Sequence, residues 1–412
     1  MGKASVGIVL LVTVLVGCGS SRPVAGPENL VCGLSRFLVD DAIVGPKSAQ
    51  QQVRQPSSGT ISDTGNYNVL ALSAGGQLGV FGAGFLLGWR EAGEQAQPVR
   101  RDQMHVVTGV SAGALLATHA FVGDDQQPFD ILPEIGTAQL LSKRLFSLPW
   151  ANALLDDAGK TQHQRALLTD AHIDRVANAA AGRSLYIGVV DLDSGKFLQV
   201  DMVKLAREIA PVSLRNACYR AIIGASTAIP VLMGPKFVDG MMLVDGSVRR
   251  HVFVPVAGPD KLRSSTRRRI LSIVNADLRP TEPSRCESRP SETCNGIIPI
   301  AARVAELVID QGLRDSLRAL EKQAHAPAGD ATDDSTFETY FTTASTAVRA
   351  CQPTKDRCGE GASTTAGDFC VAYMRCLANA GREAGRSTAS RPGPWMPFDG
   401  SVLQPAAPQR PK

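Results

Sequence analysis

Gly109-Val110-Ser111-Ala112-Gly113 follows the apolar pair Val106-Val107 and opens a run of small residues reaching about Phe121. The first part reads as a strand over His105–Gly109, the second as a helix from Ala112. Gly109 and Gly113 let the backbone turn sharply between them. The serine then stands at the strand's carboxyl end, over a helix N-terminus whose dipole favours negative charge. GxSxG alone is a common pattern; its setting between strand and helix gives it weight.

A serine hydroxyl is a weak nucleophile until a base takes its proton. The six histidines are His105, His119, His163, His172, His251 and His325. None occupies a strand-to-loop position of the kind that a Ser-His-Asp triad uses, although such an esterase stays open as an alternative. His105 and His119 sit on the strand and helix that frame the serine.

Upstream lies Leu72-Ser73-Ala74-Gly75-Gly76-Gln77-Leu78-Gly79, again between a strand (Asn68–Ser73) and a helix (Val80–Glu94). Glycines there allow backbone N–H groups to approach an anion, either a phosphate or an oxyanion. Against a dinucleotide site, Gly76, Gly79, Gly82 and Gly84 do not form GxGxxG, and Glu91 and Glu94 fall inside the helix. Downstream, Asp239-Gly240 reads as a hairpin turn and Met241–Val244 as the returning strand. Asp245-Gly246-Ser247 follows, and its aspartate is placed either to hold a catalytic carboxylate or to cap its own loop.

Working outward, Leu185–Leu192 and Ile270–Ala276 read as strands, Leu205–Ser226 as largely helical, and Ile300–Gln323 as an amphipathic helix. Strands alternating with helices predict an α/β fold, a three-layer α/β/α sandwich around a mostly parallel sheet. No internal repeat is present. The reading divides the chain into 1–17 (expected as a lipoprotein signal peptide), 18–65 (a Pro-, Gly-, Ser- and Gln-rich tether and N-terminal segment), 66–325 (the α/β domain), 326–385 (a Cys-containing C-terminal module) and 386–412 (a Pro-rich tail).

Together and in this order, the Gly-rich loop, GxSxG and Asp-Gly resemble the patatin-like phospholipase family over roughly Tyr67 to Leu278. Ala225-Ser226-Thr227-Ala228-Ile229-Pro230 resembles that family's Ala-Ser-x-Ala-x-Pro segment, and Val189 to Gly195 its central strand and turn. The resemblance implies a serine acyl hydrolase with a dyad of Ser111 and Asp245 and an oxyanion hole at Gly75 and Gly76. Ala74, Gly79, Gly109, Gly113 and Gly246 complete the motifs. It implies a lipid or ester substrate and neither a metal nor an organic cofactor. Three positions depart from the family pattern: Ala74 replaces the loop's first glycine, Leu78 its basic residue, and Ser247 the last small residue of Asp-Gly-Gly/Ala. Losing the cation at 78 weakens the expectation of phospholipid preference more than that of hydrolysis.

The chain has 412 residues, 44% hydrophobic and 20% charged, with a formal charge of +4. That balance suits a large core and speaks against a nucleic-acid partner. Lys261, Arg263, Arg267, Arg268 and Arg269 form one basic cluster, expected as a solvated loop or an anionic lipid contact. At the start, Lys3 precedes the apolar run Val6–Val16, too short to cross a bilayer. Leu15-Val16-Gly17-Cys18 resembles the lipobox of bacterial lipoproteins. It implies lipidation of Cys18, attachment to a membrane surface and an envelope location, with Gly19 pointing to the outer membrane. The rivals are an ordinary secretory signal and, for the whole protein, a non-catalytic lipid-binding envelope lipoprotein. Export would leave eight cysteines in a disulfide-permissive space. Cys286 could pair with Cys294 and Cys351 with Cys358. Cys370 and Cys376, ~9 Å apart on a helix, each need another partner. No paired CxxC supports a cysteine metal site.

Overall fold

The structure, a computed structural model, describes residues 29–39, 66–93, 99–136, 142–143, 155–156, 158–230, 232–255, 267–279, 296–325, 337–351, 370–387 and 395–398. Cys18, the tether after residue 39, the tail from 399, Cys286, Cys294 and Cys358 lie outside them.

The strands are β1 (Asn29–Leu30), β2 (Leu38–Val39), β3 (Asn66–Leu72), β4 (Val106–Val110), β5 (Ser142–Lys143), β6 (Leu155–Asp156), β7 (Ser184–Asp191), β8 (Lys196–Asp201), β9 (Lys236–Val238), β10 (Met241–Asp245), β11 (Arg267–Val274), β12 (Phe337–Thr343) and β13 (Met396–Pro397). Apart from the β5–β6 pair, the described strands join one eleven-stranded sheet. Its centre, β7-β4-β3-β11-β12, is parallel throughout, while β8, β10 and β13 add antiparallel pairs. The helices are α1 (Gly79–Ala92), α2 (Ala112–Val122), α3 (Gln126–Ile131), α4 (Ala158–Leu167), α5 (Asp170–Ala177), α6 (Met202–Glu208), α7 (Val212–Ser226), α8 (Ile297–His325), α9 (Ser345–Ala350) and α10 (Val371–Arg386).

Alternation along each strand sorts the core into two layers. Leu70, Leu72, Val107, Ile187 and Val189 pack with the side chains of α1, α2 and α7. Their neighbours Val69, Ala71, Val106, Tyr186 and Val190 face the other way and pack with Leu313, Leu317 and Leu320 of α8. Helices therefore cover both faces of the sheet, the α/β/α sandwich that the sequence predicts. The exposed side of α8 carries Ile300, Val304, Leu307 and Val308. No helix among the described residues is long and apolar enough to cross a membrane.

Several sequence expectations change in detail. The helical stretch over 205–226 is two helices, α6 and α7, parted at Ile209–Pro211. Proline has no N–H to continue a helix but starts one well. The basic cluster is a solvated loop at none of its described positions: residues 267–269 open strand β11. Arg268 is buried, and Arg269 pairs with Glu338 of the neighbouring strand at 3.0 Å. Cys351 bonds to Cys376 rather than to Cys358. Cys370, the N-cap of α10, is also disulfide-bonded. A second bridge joins Cys32 to Cys218, across a separation of 186 residues.

The stretch expected as an appended module shares the core of the domain before it. β12 pairs β11 in register from Arg268↔Phe337 to Val274↔Thr343. α10 lies against α1 so closely that a methyl on Gly84 would fall 1.9 Å from the Ala378 carbonyl oxygen, and one on Gly381 2.2 Å from that of Phe81. Small residues at i and i+4 on both helices, Gly84/Gly88 and Gly381/Gly385, create this backbone contact. Arg382 and Arg386 close it by pairing with Glu91, whose carboxyl they pull down to about 2.

Candidate active site where two strands meet

β7 has two edges. β8 takes residues 186–191 of one edge, so β4 and β10 must share the other. β4 occupies it up to Val110↔Gly188, and β10, running the opposite way, ends on it at Asp245↔Val189. The two strands thus meet end to end on neighbouring residues of one strand. Tight packing marks the junction: a methyl on Gly246 would lie 2.5 Å from the Gly188 carbonyl oxygen and 3.0 Å from Val110 Cγ1.

Ser111 is the first residue past β4. Its backbone has φ 54° and ψ −123°, in the region that side chains seldom adopt. The strain is held by Ser226: its Oγ accepts the Ser111 N–H at 3.0 Å and donates to the Gly188 carbonyl at 2.7 Å. Two residues on, the Ala228 carbonyl accepts the Asp245 N–H at 3.0 Å. Ser111 is 6% exposed and Asp245 fully buried. Asp245 Oδ1 accepts the Ser247 N–H at 2.8 Å, so the carboxylate does cap its own loop, as one reading had it. The turn before β10 is also as expected, with φ of 51° at Asp239 and 79° at Gly240. The Asp239 carboxylate additionally accepts the N–H groups of Cys32, Gly33 and Leu34, tying the N-terminal segment to the sheet.

The Gly-rich loop runs over the same end of the sheet. Ser73 and Ala74 are spent on structure: their N–H groups donate to the carbonyls of Ile273 and His251 at 3.0 and 2.8 Å. Asn275 clamps the loop, its N–H on Ser73 Oγ at 2.8 Å and its amide nitrogen on the Ser73 carbonyl at 2.9 Å. Gly75 has to be glycine, because a methyl there would fall 2.0 Å from the Asn275 carbonyl oxygen. Gly76 needs its φ of +52°. Among the described residues no acceptor engages the Gly75 or Gly76 N–H. The loop leads into α1, whose first residue touches that of α2: a methyl on Gly79 would lie 2.6 Å from Ala112 Cβ. Two helix N-termini, each with unspent N–H groups and positive potential, therefore converge beside Ser111.

The histidines lie elsewhere. His105 precedes β4 at the opposite end of that strand, where Nδ1 accepts the Asn68 N–H. His119 is two turns along α2, in ring contact with His172. His163 is on α4. His251 packs under Gly312 of α8, and burial pushes its pKa down to about 4. Among the described residues none is hydrogen-bonded to Ser111. The concavity lined by Arg90, Arg101 and Arg183 lies at the far end of α2, away from Ser111. Leu78, where the family carries a cation, packs partly buried against the core.

Of the residues singled out from sequence, Ser111, Asp245, Gly246, Ala74, Gly75, Gly76, Gly79, Gly109 and Gly113 all gather at this end of the sheet. The bracing roles of Ser226, Asn275 and the His251 carbonyl were not readable. Ser226 was visible only as part of a familiar segment, and Asn275 only as the end of a strand.

Comparison with known proteins gives a family for part of the chain. The family model for patatin-like phospholipases matches residues 70–257. No curated protein sequence matches the chain. Among solved structures, VipD from Legionella pneumophila is similar at 12% identity and a TM-score of 0.37, covering 90% of this chain and 72% of that one. The matched segment begins in β3 and ends just beyond His251, enclosing the Gly-rich loop, Ser111, Ser226 and Asp245. Over residues 70–257 the chain carries a patatin-like phospholipase domain, and with it the general character of a lipid hydrolase.

Proposed function

We propose that the protein hydrolyses carboxylic esters of lipids with Ser111 as nucleophile and Asp245 as its proton acceptor. The observation that carries this reading is the end-to-end meeting of β4 and β10 on β7, beside the two converging helix N-termini. Ser111 Oγ attacks the ester carbonyl carbon as its proton passes to Asp245. The carbonyl π electrons move onto oxygen, where the Gly75 and Gly76 N–H groups stabilise the oxyanion. Losing one such donor typically costs ~3 kcal/mol of transition-state stabilisation. Collapse breaks the bond to the alcohol, which leaves with the proton from Asp245. Water then gives a proton to Asp245 and attacks the acyl-enzyme, and its collapse frees the fatty acid and returns the proton to Ser111 Oγ.

Leu78 supplies no charge to a phosphate, so phosphate-free lipid esters are within the substrate range along with phospholipids and lysophospholipids. The apolar outer side of α8 offers a surface suited to amphiphilic esters. The test is hydrolysis of a panel of phospholipids, lysophospholipids and p-nitrophenyl esters by wild type, Ser111→Ala and Asp245→Asn. Both variants should lose at least ~10³-fold in kcat/KM while remaining folded. Full activity in either removes the dyad.

We further propose that the mature chain begins at a lipidated Cys18 and is held at the cell envelope. The lipobox-like Leu15-Val16-Gly17-Cys18 supports this, and so do the disulfides, which form in oxidising compartments. Metabolic labelling with an alkynyl fatty acid should mark the wild type and miss Cys18→Ala; equal labelling of both refutes it.

A further inference from the structure

α2 begins at the candidate nucleophile, and its other end carries a second cluster with no part in ester hydrolysis. The helix closes at Gly123, with φ +74°, and the N–H groups of Gly123 and Asp124 both donate to the His119 carbonyl, at 2.8 and 3.0 Å. This reversal brings Asp124 back beside His119. α5 supplies His172, whose Nε2 lies 3.0 Å from Asp124 Oδ2 and whose ring stacks edge-on against His119 with centroids 4.7 Å apart. One ligand atom from each of the three residues lies within 4.8 Å of the others.

His119 is 0% exposed, and among the described residues neither of its ring nitrogens makes a hydrogen bond of normal geometry, although the Asp124 backbone lies beside the ring. A buried imidazole in that condition is costly unless something engages it. Here its ring faces another imidazole and a carboxylate, a donor set that suits zinc-class divalent ions.

We propose that His119, Asp124 and His172 bind one divalent transition-metal ion of the zinc class. A tetrahedral ion with ligands ~2.1 Å away holds them roughly 3.4 Å apart, so a separation of up to 4.8 Å closes by about 1.4 Å, a side-chain adjustment. The Asp124 side chain is 31% exposed, which leaves a solvent-facing route and a fourth position for water. Orientation of His172 is already provided for: its Nδ1 lies 2.9 Å from Thr169 Oγ1 and accepts the Thr169 N–H at 3.3 Å. Without metal, that places the imidazole proton on Nε2, donated to Asp124. Binding moves this proton to Nδ1, which then donates to Thr169 Oγ1 while the long Thr169 N–H contact is given up, and frees Nε2 for the ion. The nearby Arg175 opposes a cation, but its guanidinium is exposed and engaged by the Val122 carbonyl.

The site lies eight residues along α2 from Ser111, ~12 Å at 1.5 Å per residue, so its role is to pin α2 to α5 rather than to touch the ester. The test uses untagged full-length protein with disulfides intact, stripped with chelator and titrated with Co²⁺ and Zn²⁺. Expected are one ion per chain, tetrahedral cobalt absorption bands that zinc abolishes, and a Tm higher by about 5 °C at a hundredfold zinc excess over Kd. Asp124→Asn, at a half-exposed position that tolerates the change, should weaken zinc at least ~10-fold, as should His119→Gln if it folds. No bound ion at micromolar zinc, as when water alone fills the space, overturns the proposal. So does undiminished binding by Asp124→Asn.

Discussion

Ser226 holds the backbone of Ser111 in place: its Oγ accepts the Ser111 N–H at 3.0 Å while donating to the Gly188 carbonyl at 2.7 Å. Because the Ala228 carbonyl receives the Asp245 N–H, one short segment at the C-terminal end of α7 braces both ends of the proposed dyad. Ser226→Ala leaves two buried backbone groups without their partner, each worth ~1–3 kcal/mol. The expected result is a kcat at least ~10-fold lower with a smaller change in KM, because the damage falls on alignment. Steady-state kinetics beside a melting curve checks it; wild-type kcat would show that the brace is idle.

Gly75→Ala should fail for a steric reason. The added methyl meets the Asn275 carbonyl oxygen at 2.0 Å, and backbone cannot yield as a flexible side chain can. Overpacking of this kind costs ~1–3 kcal/mol and would displace the proposed oxyanion donors. Turnover of a p-nitrophenyl ester should fall ~100-fold or more, with Tm lowered by a few degrees. Asn275→Ala, which removes the clamp but not the loop, should cost less.

A histidine-independent mechanism predicts that no histidine substitution abolishes turnover in a folded protein. His105→Gln is the clearest probe, since His105 lies at the other end of β4 from Ser111. Its kcat should stay within ~3-fold of wild type. A folded histidine variant without activity would restore the triad reading.

Stability should respond to pH through His251. Burial holds its folded pKa at about 4, below the ordinary 6.5, with Asp310 opposing weakly. Between those values the unfolded chain binds a proton that the folded chain refuses. The contribution is therefore complete above pH 6.5 and is lost as pH falls toward 4. At ~1.36 kcal/mol per pKa unit it amounts to roughly 3 kcal/mol at most. Tm measured across that window should fall less steeply for His251→Gln than for wild type.

The Cys32–Cys218 bridge fastens the N-terminal segment to α7 over 186 residues of chain. Closing so long a loop in the unfolded state implies roughly 2–5 kcal/mol of stabilisation. Cys32→Ser with Cys218→Ser should lower Tm by several degrees, and dithiothreitol should do the same to wild type. An unchanged Tm in the double variant would mean that strand pairing, core packing and the Asp239 contacts hold the segment without the bridge.

Much of the site was legible because its parts are local. A strand, a sharp turn and a helix occupy consecutive residues at Val106–Val122, and the turn chemistry of Asp239-Gly240 needs only two. The α/β class followed from the same kind of signal, alternation of apolar runs with helical spacing. Arginines 267–269 were misread because charge suggests a loop, whereas here strand pairing overrides it: Arg269 finds Glu338 only after β12 has crossed the sheet. The partner of Cys351 was not legible for a related reason, since nearness in sequence offers Cys358 while helix α10 delivers Cys376.

From the residues alone came the serine turn, the Gly-rich loop, the aspartate and their order, since each is written in short-range backbone preference and side-chain chemistry. Tertiary structure alone decided that β4 and β10 share an edge of β7, that Ser226 and Asn275 brace the two loops, and that His119, Asp124 and His172 gather behind the helix. Apart from His119 and Asp124, which are close in sequence, those relations join residues 38 to 202 positions apart. Their partners are chosen by strand register and by packing of the whole core, which no local pattern encodes.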